Sequence, residues 1–177
     1  MDFRVWLGAN HVKSDGIWLR IFKKHSGKAS IAYAEALDEA LCHGWIDGQR
    51  KPCDEKSWIQ RFTPRRTRSK WSKLNTRHVE RLLKAGLMHE AGLKAVEAAK
   101  ADGRWQAAYD SPRDAAPPQD FFKALAKNRK AETFYKTLNR ANIYAIAYRL
   151  QTPKKPETRE RWMQKILAML SRGEKFH

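Results

Sequence analysis

Cysteine and long apolar runs are scarce in this chain. Its 177 residues include only two cysteines, Cys42 and Cys53, too few for the disulfide framework of a small secreted protein. The opening residues, MDFRVWLGANHV, lack the apolar stretch and small-residue cleavage site of a signal peptide. No apolar run approaches the roughly 20 residues that a membrane-spanning helix needs. The sequence therefore predicts a cytoplasmic protein with reduced thiols and no membrane insertion.

Recognisable catalytic and cofactor motifs are also missing. The chain contains no G-x-S-x-G, phosphate loop, dinucleotide fingerprint or H-E-x-x-H. The spacing of Cys42, His43 and Cys53 does not match common zinc sites. Cys42 and His43 also make a poor nucleophile pair, because adjacent residues of a helix point in different directions. His78 and His89 have no partners at ligand spacing, so we expect no metal and no cofactor.

Acidic residues are few compared with basic ones. The chain has 36 Lys and Arg against 19 Asp and Glu, a formal charge of +17. The first 49 residues are balanced, with six basic and six acidic side chains, whereas residues 50–73 have nine basic and two acidic. Residues 117–177 have 14 basic and five acidic. Localised positive charge favours an anionic ligand or nucleic acid as partner, although a merely soluble cationic protein has the same composition.

Residue periodicity predicts an α+β fold. Alternation at residues 16–24, 45–50 and 57–63 predicts three strands of a small antiparallel sheet, with Pro52 confined to the turn between the last two. In the first strand, Ile17, Leu19 and Ile21 alternate with Trp18, Arg20 and Phe22. The remaining segments have helical periodicity. We therefore expect a small antiparallel sheet packed by helices, followed by an all-helical C-terminal bundle.

The helix boundaries are marked by glycine, proline and capping residues. Gly44 and Gly173 are placed to end helices, and Pro156 to begin one. Ala32 stands where a Ser or Thr cap is expected, so Ser30 is the predicted substitute. Helices are predicted at residues 2–9, 30–43, 73–85, 88–101, 120–126, 131–138, 142–151 and 157–172.

A proline-rich segment predicts the domain boundary. Residues 111–118, SPRDAAPP, contain three prolines and little apolar surface, which is typical of a linker. The predicted organisation is an α+β N-terminal domain at residues 1–110, this linker, and a helical C-terminal domain at residues 119–177.

Several ordered motifs resemble one bacterial family. They are GWIDG at 44–48, RFTPRR at 61–66, SKWSKLN at 69–75, KADGRW at 100–105, PKKPETRERW at 153–162 and RGEKFH at 172–177. Together they resemble the YdeI/OmpD-associated family, also called the bacteriocin-protection or OmdA-type family, over essentially the whole chain. The resemblance implies an OmdA-like C-terminal domain and a stress or bacteriocin-protection setting, but no reaction. Members of that family usually have an extra strand and helix start before Asp2, so we expect those residues to be lacking here or the start to be mis-set.

The candidate ligand-binding site lies in the basic segment between the second strand and the following helix. It consists of Trp45, Asp47, Arg61, Thr63, Arg65, Arg66, Trp71 and Asn75. If the two strands pair, Asp47 orients Arg61 through a charge-assisted contact. Arg65 and the backbone N–H groups of the helix start near Trp71 then receive an anion. The alternative is structural, with an Asp–Arg pair joining the hairpin and the tryptophans filling the core.

Two function classes remain open from the sequence. The first is a non-enzymatic protein that binds an anionic ligand or nucleic acid through a basic-aromatic surface, with weak sequence selectivity. The second is an enzyme for a small anionic substrate, with Asp47 as acid/base and Arg61 and Arg65 as clamps. The acidic residues Glu35 and Asp38 share a helix face, which is more typical of a solvated surface than of acid–base chemistry. The sequence indicates neither the ligand nor the oligomeric state.

Overall fold

The computed structural model describes residues 2–176. In that range the chain forms eight α-helices, a short 3-10 helix and one antiparallel sheet, which confirms the α+β fold class. It divides into two compact units, Met1–Gln106 and Ala107–His177. The first unit contains α1 Phe3–Asn10, β1 Ile17–Phe22, the 3-10 helix Lys24–Ser26, α2 Tyr33–Cys42, β2 Trp45–Asp54, β3 Ser57–Pro64, α3 Lys73–Lys84 and α4 Glu90–Ala101. The second contains α5 Gln119–Leu125, α6 Arg129–Tyr135, α7 Arg140–Gln151 and α8 Pro156–Ser171.

The sheet has the order β1-β3-β2, with β3 in the centre. Both pairings are antiparallel, as predicted; Trp18 lies opposite Arg61, and Asp47 lies opposite Phe62. The register of β2 shifts between Asp47 and Arg50, so this edge strand has a bulge there. The register determines which side chains share a face, because directly opposed residues point to the same side of a sheet.

The prediction that Pro52 lies in a turn is wrong. β2 continues to Asp54, and Pro52 pairs with Trp58. Proline is compatible with this position because β2 is an edge strand, where a missing N–H need not interrupt the sheet. The turn that joins β2 to β3 is therefore limited to residues 55–56.

Helices α1 and α2 cover one face of the sheet with apolar side chains. The core cluster there consists of Phe3, Leu7, Ala36, Ala40, Trp45 and Phe62. The rings of Phe3 and Phe62 lie 5.2 Å apart between centroids. Apolar surface removed from water contributes roughly 25 cal/mol per Å², so this cluster is a main source of stability for the first unit.

The ends of α2 differ in how well the sequence predicted them. Gly44 follows the helix at φ +73°, and a Cβ there would lie 2.8 Å from the Ala91 carbonyl oxygen, so glycine is required on both counts. The predicted Ser30 cap is wrong. The Ala32 N–H instead donates to the Glu35 carboxylate at 2.9 Å, while the Ser30 hydroxyl accepts from the Phe22 N–H at 3.1 Å.

The second unit is a helical bundle with its own core. Its buried cluster consists of Phe121, Leu125, Ala131, Leu138, Ile146, Leu150, Met163, Ile166 and Leu170. Pro156 begins α8, and Gly173 follows it at φ +72°, as predicted. Among residues 2–176, no helix combines the length and the apolar character that crossing a bilayer requires.

The proline-rich segment, residues 111–118, lies within the second unit and is hydrogen-bonded to its helices. Ala115 is buried, and the guanidinium of Arg140 donates to the Pro112 carbonyl oxygen at 2.9 Å. The Gln151 amide donates to the Ala116 carbonyl oxygen at 3.1 Å. The division into domains at residues 110 and 119 stays a prediction.

Candidate functional site

The predicted Asp47–Arg61 pair is not formed, and that prediction is wrong. Asp47 lies opposite Phe62 and accepts a hydrogen bond of 2.7 Å from the Tyr33 hydroxyl, on the face covered by α2. Arg61 is the neighbour of Phe62 in β3 and therefore points to the other face, where it lies opposite Trp18. Burial and the bond to Asp47 raise the pKa of Tyr33 well above its usual value. Asp47 thus orients a tyrosine and not an arginine.

Trp45 and Trp71 fill the core, as the structural alternative predicted. Their exposed fractions are 1% and 2%, which leaves neither ring accessible to a ligand. The Trp45 indole N–H donates to the His11 carbonyl oxygen at 3.1 Å. The Trp71 ring packs against Trp105 with centroids 4.9 Å apart. These tryptophans stabilise the first unit and do not form a binding surface.

The start of α3 is engaged by its own cap. Ser72 is the N-cap, and its hydroxyl accepts from the Asn75 N–H at 3.1 Å. The Thr76 N–H donates to the Ser72 carbonyl oxygen at 3.0 Å. The Asn75 residue itself is only 9% exposed. One of the backbone donors predicted to receive an anion, the Asn75 N–H, is therefore already bonded to the cap.

Arg65 is built into the packing around Trp71. Its guanidinium lies 3.6 Å from the centre of the Trp71 ring and donates to the Lys70 carbonyl oxygen at 3.0 Å. Its backbone N–H donates to the Gly44 carbonyl oxygen at 2.9 Å. A cation at this distance over an indole ring is a stabilising contact. Arg65 thus supports the first unit and is not a clamp facing Arg61.

Three of the predicted residues do line one groove. Arg61, Thr63 and Arg66 border a groove of about 630 Å³ whose other lining residues are Asp15, Trp18, Gly48, Gln49 and Pro64. The bulge of β2 contributes Gly48 and Gln49. A Cβ at Gly16, where φ is +147°, would lie 2.8 Å from a terminal guanidinium nitrogen of Arg61. Glycine at position 16 therefore leaves space for the Arg61 side chain at this groove.

The groove belongs to a larger surface, which we name the open sheet face. It is the face opposite α1 and α2 and carries Trp18, Arg20, Phe22, Lys51, Ile59, Arg61 and Thr63. The Trp18 ring is partly buried and lies below two cations, with the Lys51 ammonium 4.8 Å and the Arg61 guanidinium 5.8 Å from its centre. This arrangement combines an aromatic ring with positive charge on one face of the sheet.

A second ring–cation group lies farther along β1. The Arg20 guanidinium is 4.7 Å and the Lys28 ammonium 5.3 Å from the centre of the Phe22 ring. Arg20 also donates to the Ser57 hydroxyl at 2.9 Å and forms an ion pair with Asp54. The hydrogen bond from the Ser57 hydroxyl is the main cause that lowers the pKa of Asp54, and the positive charge of Arg20 adds to this effect.

The alternation of residues in the first strand predicts this surface, although the candidate ligand-binding site did not include most of its residues. Trp18 and Phe22 alternate with Ile17 and Ile21, so a half-buried strand places both aromatic rings together on the face away from the core. Lys51 was missed for a different reason. The sequence pattern ends the second strand at Arg50 and so predicts a turn at Lys51. In the structure β2 continues to Asp54, and Lys51 points to the open sheet face.

The acidic face of α2 lines a separate cavity of about 440 Å³ near Cys42. Its carboxylates are paired: Glu39 with Arg4, and Asp38 with Arg81. Burial raises the pKa of the Cys42 thiol to about 11, and Glu39 adds to the shift. The thiol therefore stays protonated at neutral pH, which disfavours a nucleophilic role.

Three histidines meet beside this cavity. The rings of His43 and His89 stack with centroids 4.0 Å apart, and His11 lies 5.3 Å from His43. Burial lowers the pKa of His43. Spacing could not predict this cluster, because its members come from three separate segments. Within residues 2–176, no group of three or more His, Cys, Asp or Glu side chains is placed to hold a metal ion.

Comparison with protein families divides the chain in a similar way. Residues 114–173 match the family described as Bacteriocin-protection, YdeI or OmpD-Associated. This match lies in the helical second unit and covers less than half of the chain. Residues 1–95, more than half of the chain, match a domain of unknown function, DUF8412. The chain belongs to the DUF8412 family. The comparison with curated proteins found no match, and neither did the comparison with solved structures.

The OmdA match is narrower than the whole-chain resemblance predicted. It covers the helical second unit, whereas the motifs GWIDG and RFTPRR lie in the region that matches DUF8412. The open sheet face lies entirely within residues 1–95. The candidate surface is therefore part of the region that matches DUF8412, outside the region that matches the YdeI/OmpD-associated family.

Proposed function

We propose that this protein is a non-enzymatic cytoplasmic protein that binds a polyanion, specifically nucleic acid, through the open sheet face. The observation that carries the proposal is the partly buried Trp18 ring beneath Lys51 and Arg61. Aromatic rings interleaved with Arg and Lys on one surface are typical of nucleic-acid interfaces.

The shape of the surface supports a polymer over a small ligand. Trp18 and Phe22 lie four residues apart on one strand, which at about 3.3 Å per residue separates them by ~13 Å. Each ring has its own cations, and the groove near Trp18 adds Arg66 beyond the strand end. Sites spaced along a flat face fit successive units of an extended chain.

Charge supports the same partner. The formal charge of the chain is +17, which raises the association rate with any polyanion. Of the acidic side chains near the open sheet face, Asp54 is paired with Arg20, and Asp15 lies at the groove. A phosphate chain that crosses the face meets mainly Lys51, Arg61 and their neighbours.

The structure gives the enzyme hypothesis less support. Asp47, its proposed acid/base, lies on the opposite face from Arg61, and Arg65 lies over Trp71. These three groups do not share a cleft in which one substrate could contact all of them. The family description mentions bacteriocin protection, and we infer a role in such a stress response from that description alone.

The test is a salt series with labelled mixed-sequence DNA and RNA. If about five phosphates are contacted, log K should fall against log salt with a slope of roughly −4 to −5. Arg61→Gln should weaken binding and flatten the slope by ~1. The matched control is Arg77→Gln, which removes the same charge from an exposed position on α3. Absence of binding at low salt would overturn the proposal.

A further inference from the structure

We propose that the open sheet face binds single-stranded nucleic acid, with one base stacked on Trp18 and an adjacent phosphate held in the groove by Arg61 and Arg66. This inference rests on the proposed function and adds the strandedness of the partner and the residue that contacts a base. It follows from the position of one aromatic ring among cationic side chains on the sheet face opposite α1 and α2.

Trp18 can exchange its cations for a base. Lys51 and Arg61 lie 4.8 and 5.8 Å from the ring centre, and such contacts at a partly exposed ring contribute ~0.5–1 kcal/mol each. A stacked base contributes ~1–3 kcal/mol. Together the two contacts contribute about as much as one stacked base. The exchange favours the base because the displaced ammonium and guanidinium then pair with the phosphates next to it.

A duplex cannot make the same contact. Its bases are stacked on each other, and only their edges are accessible in the grooves. The rings of the open sheet face lie on β1, in a sheet whose neighbouring strands are about 4.8 Å apart. None of the residues of this face belongs to a helix or ribbon that projects far enough to enter a groove of the duplex. Duplex would contact this face through phosphates alone, whereas a single strand can place the face of a base on Trp18.

The groove beside Trp18 has the donors that a phosphate needs. Arg61 and Thr63 project from β3, and Arg66 is exposed just beyond its end. Gly48 adds no side chain at the bulge, so the groove keeps its volume of about 630 Å³. Asp15 is the acidic residue of the lining. Its carboxylate repels a phosphate, so Asp15→Asn should increase affinity for single strands.

The experiment compares three probes with the full chain: a labelled single-stranded oligonucleotide, its duplex, and heparin, a polyanion without bases. The single strand should bind more tightly than the duplex. Trp18→Leu should lower the affinity for the single strand by about 5- to 100-fold, the size of one lost base stack, and leave heparin within about twofold. Trp18→Phe should retain most of the affinity, because a smaller ring still stacks.

The control is Trp58→Leu. Trp58 is also partly buried in the sheet, and the Arg50 guanidinium lies 4.5 Å from its ring centre, but it points to the opposite face. This substitution should leave the affinity for the single strand unchanged. A second readout, tryptophan fluorescence, can be used even if Trp18→Leu does not fold. Saturation with the oligonucleotide should quench the fluorescence of the wild type more than that of Trp18→Phe.

The outcomes separate the two proposals. Equal affinity for single strand and duplex, with no extra quenching from Trp18, overturns the single-strand inference while polyanion binding stands. Failure to bind any of the three probes at low salt overturns the proposed function itself. Loss of heparin binding in Trp18→Leu would also contradict the stacking role, because heparin has no base to stack.

Discussion

At the scale of single residues, surroundings and not charge decide what each arginine does. Arg61 and Arg65 belong to one basic run, four positions apart. Arg61 reaches the open sheet face beside Trp18, whereas Arg65 covers the buried ring of Trp71. Pro64 ends β3 between them, so the chain changes direction and the strand alternation no longer applies to Arg65.

Arg65→Ala should therefore affect stability more than binding. The substitution removes the contact over Trp71 and the hydrogen bond to Lys70, and we expect a loss of ~1–3 kcal/mol in the free energy of unfolding. Urea unfolding followed by tryptophan fluorescence measures it. Its exposed neighbour supplies the control, since Arg66→Ala should leave stability nearly unchanged. Unaltered stability together with a large drop in polyanion affinity would show that Arg65 is a ligand-binding residue after all.

Residue identity alone predicted part of the candidate site. Of the residues predicted in the basic run, Arg61, Thr63 and Arg66 do share a groove; that this groove binds a ligand stays a prediction. Strand alternation places Trp18 on the face away from the core, but no local pattern predicts that Trp45 and Trp71 are buried. Burial of Trp45 depends on α1 and α2 packing over one face of the sheet, which is information from distant parts of the chain.

At the scale of elements, the close approach of α4 to the end of α2 is built on glycine. A Cβ at Gly92 would lie 2.3 Å from the Cys42 carbonyl oxygen, which is backbone and cannot move aside cheaply. The His89 N–H donates to that same oxygen at 3.0 Å. The start of α4 is thus fixed against the end of α2 by contacts that no larger side chain permits.

Gly92→Ala should destabilise the first unit although alanine is the better helix former. Alanine gains up to ~1 kcal/mol in helix propensity, but overpacking costs ~1–3 kcal/mol or more. Gly8→Ala is the matched control: it also lies within a helix, α1, and a Cβ there meets nothing within 4 Å. Thermal unfolding should show a lower midpoint for Gly92→Ala and an equal or higher one for Gly8→Ala. A stabilised Gly92→Ala would contradict this packing.

The histidine cluster joins the ends of α1 and α2 to the start of α4, and it predicts a pH dependence. Burial is the main cause that lowers the pKa of His43. The hydrogen bond to the Glu39 backbone opposes it, and the nearby His89 and His11 add smaller effects in the direction of burial. As the pH falls, His43 is therefore protonated first in the unfolded chain, near pH 6.5. Stability should be fully present above that pH and decline as the pH falls further, towards the lower folded pKa.

Urea unfolding between about pH 7.5 and pH 5.5 tests this dependence, because most carboxylates stay charged in that range. His43→Gln should have a flatter profile than the wild type. Parallel profiles would show that His43 titrates in the same way in the folded and unfolded chain.

The elements themselves were largely predictable from local pattern. Alternation located the three strands, and the glycine after α2 was identified from helix-ending chemistry. Two local expectations failed for tertiary reasons. Pro52 is accepted in a strand because β2 is at the sheet edge, and Ser30 is bonded to β1 instead of capping α2.

At the scale of the whole molecule, the proposed binding surface and the match to the OmdA family lie in different parts of the chain. The OmdA match covers residues 114–173, in the helical second unit, whereas the open sheet face lies in the region that matches DUF8412. Net charge alone would let any cationic surface of the chain bind a polyanion. We instead expect binding to be localised to one face of one sheet.

Two adjacent residues test that claim most directly. Lys51 lies over Trp18 on the open sheet face, and Arg50 lies over Trp58 on the other face. Lys51→Gln and Arg50→Gln each remove one positive charge from neighbouring positions of the same strand. The measurement is the dissociation constant of a labelled single-stranded oligonucleotide for both variants at one low salt concentration. Lys51→Gln should weaken binding by about two- to fivefold, the scale of one exposed ionic contact, while Arg50→Gln leaves it unchanged. Equal weakening by both substitutions would contradict binding at the open sheet face.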